Sequence, residues 1–347
     1  MLFKIVAKES FRTLVEHLLA SNEVVGPKKV GMRKNGKPAY QFLPIERFEE
    51  MVLDYEKTEF SAKTYFLPFR ENLSKTRFQG TDWEQEITYR VQPRALIGLH
   101  ACDINALLKI DKVMLKGPYP SPYYLSRRKN TFIIGLDHDP CETGFCASLG
   151  EDTVTHGFDL FLTDLGDRYF VSIGSDRGFR VLHSVPVRDV TDEDRHEYQK
   201  VRRRIAAGYK IQVRFENLPT LLDIEFDSPV WKKWGDKCLG CGSCAMVCPT
   251  CYCYGVYERI SQDFKECRKI AQLYSCNLLD FAMVAGGHNF RPTRHSRLKY
   301  RYYHQHRGFM EAYDEAMCVG CNHCGDTCLA GINPPDLIRD LQAENAS

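Results

Sequence analysis

Two short runs of cysteine constrain this chain more than anything else in it. In KCLGCGSCAMVCPTC, Cys238, Cys241, Cys244 and Cys248 follow the spacing C-x2-C-x2-C-x3-C, and Pro249 comes next. In MCVGCNHCGDTCLAG, Cys318, Cys321, Cys324 and Cys328 repeat that spacing, with Leu329 in the place of the proline. Three thiolates two residues apart wrap one corner of an iron-sulfur cube in a tight loop. The small residues Gly240, Gly242 and Gly320 let backbone N–H groups approach the sulfides.

The fourth cysteine of each run points away along the chain, and in two-cluster ferredoxins it ligates the other cube. Carried over, that pattern gives one cluster Cys238, Cys241, Cys244 and Cys328, and the other Cys318, Cys321, Cys324 and Cys248. A zinc site competes, because Cys238/Cys241 with Cys318/Cys321 is formally CxxC…CxxC, but a zinc ribbon has no use for the third and fourth cysteine of each run. Cys244, Cys248 and Cys251 match a radical-SAM spacing by letter count; inside a filled ferredoxin run this reads as coincidence.

Composition narrows the setting. Fifteen cysteines in 347 residues are many for a typical cytosolic enzyme, and the chain is too long for a small disulfide scaffold. The start, MLFKIVAKES, lacks the apolar core of a secretory signal, and no run of about 18 apolar residues exists to span a bilayer. A cytoplasmic protein is expected, and in that reducing compartment clustered cysteines point to metal. With 47 basic and 45 acidic side chains the net charge is +2, which gives no global argument for nucleic acid or an anionic membrane.

Along the chain the expected class is α+β: a mixed α/β domain over 1–225, then a dicluster ferredoxin-like domain over 226–347 with a long helical insertion at about 255–316. Phe11, Leu14, Leu18 and Leu19 recur at helical spacing, and Asn35-Gly36 separates two short strands as a hairpin turn. ALIGLHACD and TFIIGLDHDPC read as buried parallel strands around the helical stretch INALLKIDKVML, and FDLFLTD with RYFVSIGSD as a hairpin. Residues 186–215 read as a solvated helix. In the insertion, Val256, Ile260, Phe264, Ile270, Leu273, Leu278 and Phe281 step at roughly helical intervals, which makes Cys267 and Cys276 helix core until AGGHN breaks the pattern. The stretch from Arg291 to Arg307 holds six Lys/Arg, three His and no acid; a docking face or cationic wall and a solvated surface both fit it. Asn333, Pro334, Pro335 and Asp336 start a final helix.

Cys102 ends the first apolar strand, Cys141 follows the second, and Cys146 lies in the same loop. Ligands of parallel sheets gather outside the carboxyl ends of strands, so these three are expected to face one point and to hold a third cluster. Its fourth ligand is Cys253 or Cys251 in the tail PTCYC, or else Asp103 or His138. The plainer alternative is that small buried cysteines fill space near strand ends.

The order of YFLPFRENL, ACDI, PYYLSRRKNTFIIGLDHDPCETGFCASLG, GFDLFLTD, CGSCAMVCPTCYC, AGGHNFRPTR and the second quartet resembles the beta subunit of cytosolic sulfhydrogenases and the corresponding iron-sulfur subunit of anaerobic sulfite reductase, from about residue 65 onward. The resemblance implies an electron-relay subunit holding 4Fe-4S clusters between a flavin-containing subunit that reacts with NAD(P)H and a catalytic redox subunit. Similar chains serve nickel-iron hydrogenases, sulfite reductases and complexes linked to heterodisulfide reductase. The residues agree with a non-catalytic role, since no GxGxxG follows a strand and no Walker loop occurs. Two other readings stay open: a self-contained iron-sulfur reductase with its own flavin or substrate pocket near Cys102, and a structural module organised by metal.

Overall fold

Strands β6 (Arg94–Leu99), β7 (Thr131–Leu136) and β8 (Leu160–Asp164) are apolar along most of their length and buried on both faces. A strand without a wet face belongs inside a sheet covered on both sides, and parallel pairing through crossover helices achieves that. The computed structural model describes residues 2–345 except 34, 88, 90 and 91. With β1 (Leu2–Ala7), β2 (Glu23–Met32), β3 (Pro38–Pro44) and β9 (Arg168–Ile173), these strands form a seven-stranded sheet of order β1-β9-β8-β7-β6-β2-β3. The central run β2, β6, β7 and β8 is parallel, and antiparallel strands close both ends.

Helices cover the two faces. Helix Lys8–Leu19 buries Phe11, Leu14, Val15 and Leu18 against one; helix Ala101–Lys116 buries Ile104, Leu107 and Ile110 against the other. Both expected hairpins form, β8 with β9 and β2 with β3. The second turns at Asn35-Gly36, where Gly36 takes φ +79° as a tight turn requires; position 34 lies outside the described residues. The solvated helix spans Asp192–Ala207 and the final helix Pro334–Asn345, with Asn333 Oδ1 accepting from the Asp336 N–H at 3.0 Å.

The insertion departs from expectation. Its first part is a hairpin, β10 (Tyr254–Ile260) and β11 (Glu266–Leu273), and the helix of this region begins only at Arg294. Spacings of four fit a period of two as well as one of 3.6, and the choice falls to tertiary pairing. Here β11 pairs with β4 (Arg70–Gln79), which pairs with β5 (Asp82–Ile87), in a four-stranded antiparallel sheet β10-β11-β4-β5. Cys267 is accordingly a strand residue, and Cys276 is buried in the loop that follows. This sheet takes strands from both sides of residue 225. In the C-terminal half, Trp231, Trp234, Leu298, Tyr302, Leu337 and Ile338 pack three helices together.

Candidate metal centres

Each cysteine run is a loop closed by one helical turn, and the two are built alike. Gly240 and Gly320 take φ +66° and +68°; Gly242 and Asn322, the residues after the second cysteine of each run, take +77° and +56°. These left-handed positions turn the chain back so that the N–H of Gly240 lies 3.4 Å from Cys238 Sγ and that of Gly320 3.5 Å from Cys318 Sγ. Five-residue helices, Ser243–Val247 and His323–Thr327, carry the rest of each run.

The fourth cysteines cross over. One cavity is lined by Cys238, Cys241, Cys244 and Cys328, a second by Cys318, Cys321, Cys324 and Cys248. The two cavities share a wall made of Cys324, Arg301, Tyr302 and Pro334. Burial pushes the Cys318 thiol up to about 12 and the Cys324 thiol to about 11, the latter against the pull of Arg301. Thiols in such surroundings stay protonated until a metal takes the proton's place, which ties metal binding to proton release. Among the described residues no three or more His, Cys, Asp or Glu stand close enough to share a single ion; the cysteines ring cavities instead.

Cys102, Cys141 and Cys146 also come together. A bulge at Gly98 (φ +90°) ends β6 and turns the chain into helix Ala101–Lys116, whose first turn carries Cys102. The free thiol of Cys102 shares a hydrogen bond with that of Cys146; that hydrogen bond and then burial raise the Cys102 thiol well above the ordinary value. Burial pushes Cys141 up to about 11, with Lys57 opposing. The group abuts the second quartet: Cys146 and Cys321 share one buried cluster, and the N–H of Phe145 donates to Gly320 O at 2.8 Å. Beside it the rings of Tyr55, His100 and His138 stack at 4.3 and 3.5 Å, and burial pushes the carboxyl of Asp103 up to about 6, its Oδ1 without a partner.

Cys251 and Cys253, expected as the fourth ligand there, do not join this group. Cys251 Sγ accepts from Arg301 Nη1 at 3.1 Å and from Gln305 Nε2 at 3.4 Å, and it bonds Cys248. Cys253 lies among Arg301, Lys63 and Arg291, and its carbonyl accepts from the Tyr274 N–H at 2.8 Å. The tail PTCYC therefore folds back onto the base of the β10/β11 hairpin. Cys276, expected in a helix core, faces Cys253 and Cys244.

Three buried cations stand around the sulfurs; sequence reasoning missed Lys57 and Lys63 and covered Arg301 only as part of a basic stretch. Lys57 pairs with Asp326 and donates to Cys321 O at 3.3 Å; Lys63 donates to Cys251 O at 2.9 Å; Arg301 stands in the shared wall. Nothing in the local pattern of the two lysines reports their burial. The basic stretch from Arg291 to Arg307 supplies Arg301 and Arg297 inward and keeps Arg294 outward, so both readings of it hold in part.

Comparison with known proteins gives the family and the cofactor class. A family described as "4Fe-4S dicluster domain" matches residues 237–332, which span both runs. Over 339 residues the chain is 36% identical to sulfhydrogenase 2 subunit beta of Pyrococcus furiosus, covering 96% of each chain. The chain belongs to the sulfhydrogenase beta-subunit family. Family membership extends the resemblance read from residue 65 onward across the N-terminal part as well. No solved structure matches. Among the described residues no helix is long and apolar enough to cross a membrane.

Proposed function

We propose that this chain is the electron-relay subunit of a hydrogenase-type oxidoreductase complex, handing single electrons between a flavin-containing subunit that reacts with NAD(P)H and a catalytic redox subunit. The observation that carries the reading is the row of cysteine groups: the first quartet cavity, the shared wall, the second quartet cavity, and the Cys102 group against Cys321. Cys238, Cys241, Cys244 and Cys328 would hold one 4Fe-4S cluster, and Cys318, Cys321, Cys324 and Cys248 another. Cys102, Cys141 and Cys146 would hold a third, with the unpartnered Oδ1 of Asp103 as the candidate for its fourth position. A cluster of this kind takes up and returns one electron. The chain's residues do the rest: the thiolates hold, the buried cations offset negative charge, and Val319 and Tyr302 keep water from the second cavity and its wall.

The test is iron and sulfide analysis of the anaerobically reconstituted chain. Two cubes require about eight iron per chain and three about twelve. The triple variant Cys102→Ser, Cys141→Ser, Cys146→Ser is expected to lose about four iron; unchanged iron would reduce those cysteines to packing. A wild-type chain with fewer than about eight iron would overturn the relay. Purification of the native assembly with a flavin-bearing subunit checks the partner.

A further inference from the structure

Helix Arg294–Tyr303 turns two arginines inward, four residues apart, and their surroundings differ. Arg297 is satisfied by backbone: its Nε donates to Asn277 O at 2.9 Å, its Nη1 to Pro292 O at 2.8 Å and Arg291 O at 3.1 Å. It latches a loop. Arg301, one turn later and only 7% exposed, points instead at sulfur, bonding Cys251 at 3.1 Å and Cys324. Cysteine sulfurs, not carboxylates, are its neighbours among the described residues, and it lines both quartet cavities.

A buried guanidinium stays charged, so its charge has to be balanced from nearby. What stands around it is sulfur: Cys251 and Cys324 bond it, and Cys244 and Cys248 line the two cavities it borders. Those residues belong to the rims of both cavities and to the PTCYC tail. A cluster bound by four thiolates is negative, and reduction adds one more electron to it. A fixed positive charge beside it favours the reduced form, and charge and hydrogen bonds to sulfur are the protein's means of setting cluster potential.

We propose that Arg301 is a potential-setting residue shared by the two quartet clusters, raising the reduction potentials of both together. This rests on the reading that the quartets hold 4Fe-4S clusters. Lys63, which donates to Cys251 O and Met246 O, and Lys57, against Cys141 and Cys321, each stand on one side only; Arg301 alone of the three lines both cavities.

The experiment is a redox titration of the reconstituted full chain followed by electron paramagnetic resonance, with iron and sulfide measured on every sample. Arg301→Gln is expected to keep its iron and to move both midpoint potentials to more negative values. Iron retained with both potentials unchanged, or with only one moved, overturns the proposal. Should Arg301→Gln lose its iron, Arg301→Met decides: it fills similar space without the charge, so both potentials should again move to more negative values. Both unchanged, or only one moved, in that variant would refute a shared role. A wild-type chain without iron and sulfide would overturn the underlying reading too, whereas loaded clusters insensitive to Arg301 sink this inference alone.

Discussion

The sulfur of Cys248 faces Cys318, Cys321 and Cys324, while its loop mates Cys238, Cys241 and Cys244 ring the other cavity. Cys248→Ser is therefore expected to alter the resonance of the cluster on the second run and leave the first unchanged. Loss of the signal tied to the Cys238 loop would contradict the crossed assignment. Residue spacing made the eight quartet cysteines legible because the chemistry of one small loop dictates it. It did not locate Cys251 and Cys253, whose position depends on the backbone bond from Tyr274 to Cys253 O, a partner no local pattern announces. Nor did it reveal Lys57 and Lys63, or single out Arg301 within its basic stretch, since a basic side chain reads the same in sequence whether it meets water or sulfur.

Elements with a self-sufficient pattern were readable. The apolar runs of β6 and β7 and the amphipathic helix Ala101–Lys116 each demand one kind of burial, and each received it. The β10/β11 hairpin was not, because Val256 and Ile260 are exposed and the pairing that selects a strand comes from distant β4. Helix Asp192–Ala207 offers a test of its start. Thr191 caps it, and the carboxylate of Asp194, 1% exposed, accepts from Arg188 at 2.6 Å, from Arg168 at 2.9 Å and from the Thr191 N–H at 2.9 Å. Arg188 foremost, then the Thr191 N–H and hydroxyl and Arg168, hold this carboxyl well below the usual range. Removing it in Asp194→Ala leaves the N–H and hydroxyl of Thr191 and the partly exposed Arg168 and Arg188 without their shared acceptor, and should cost about 1–2 kcal/mol in urea unfolding at neutral pH. The contribution is complete above the unfolded-chain carboxyl value of about 4 and is lost as pH falls below it. Wild type and variant should thus converge in stability on acidification; a gap that persists at low pH would refute this account.

At the scale of the molecule, the front sheet and the cysteine loops are one body. Strands from both sides of residue 225 share a sheet, and the second cysteine loop lies against the Cys146 loop at Gly320. A Cβ on Gly320 would stand 2.7 Å from the backbone of Phe145 and Cys146, at a φ of +68° that side chains rarely adopt. Gly331 has nearly the same φ, +65°, with nothing within 4 Å. Gly331→Ala should cost only the conformational strain, about 1 kcal/mol, whereas Gly320→Ala should in addition push the two loops apart and lower the iron held by the second quartet and the Cys102 group. Equal iron content and equal thermal stability in the two variants would refute that joint. Of the seven-stranded sheet, the parallel pair β6/β7 and the hairpins β2/β3 and β8/β9 were foreseeable; the docking on the cysteine loops was not, because a glycine's close approach leaves no mark beyond the glycine itself.

The crossing of the fourth cysteines also sets the order of biogenesis. The first cavity needs Cys328 and the second needs Cys248, so translation through the first run completes neither. While the ribosome works through the β10/β11 hairpin and helix Arg294–Tyr303, the nascent chain carries three thiols poised for a cofactor and a fourth promised to a loop not yet made. On the proposed assignment neither cavity has its four thiols until the second run has been made, so cofactor delivery would follow translation of nearly the whole chain, with the thiols kept reduced until then.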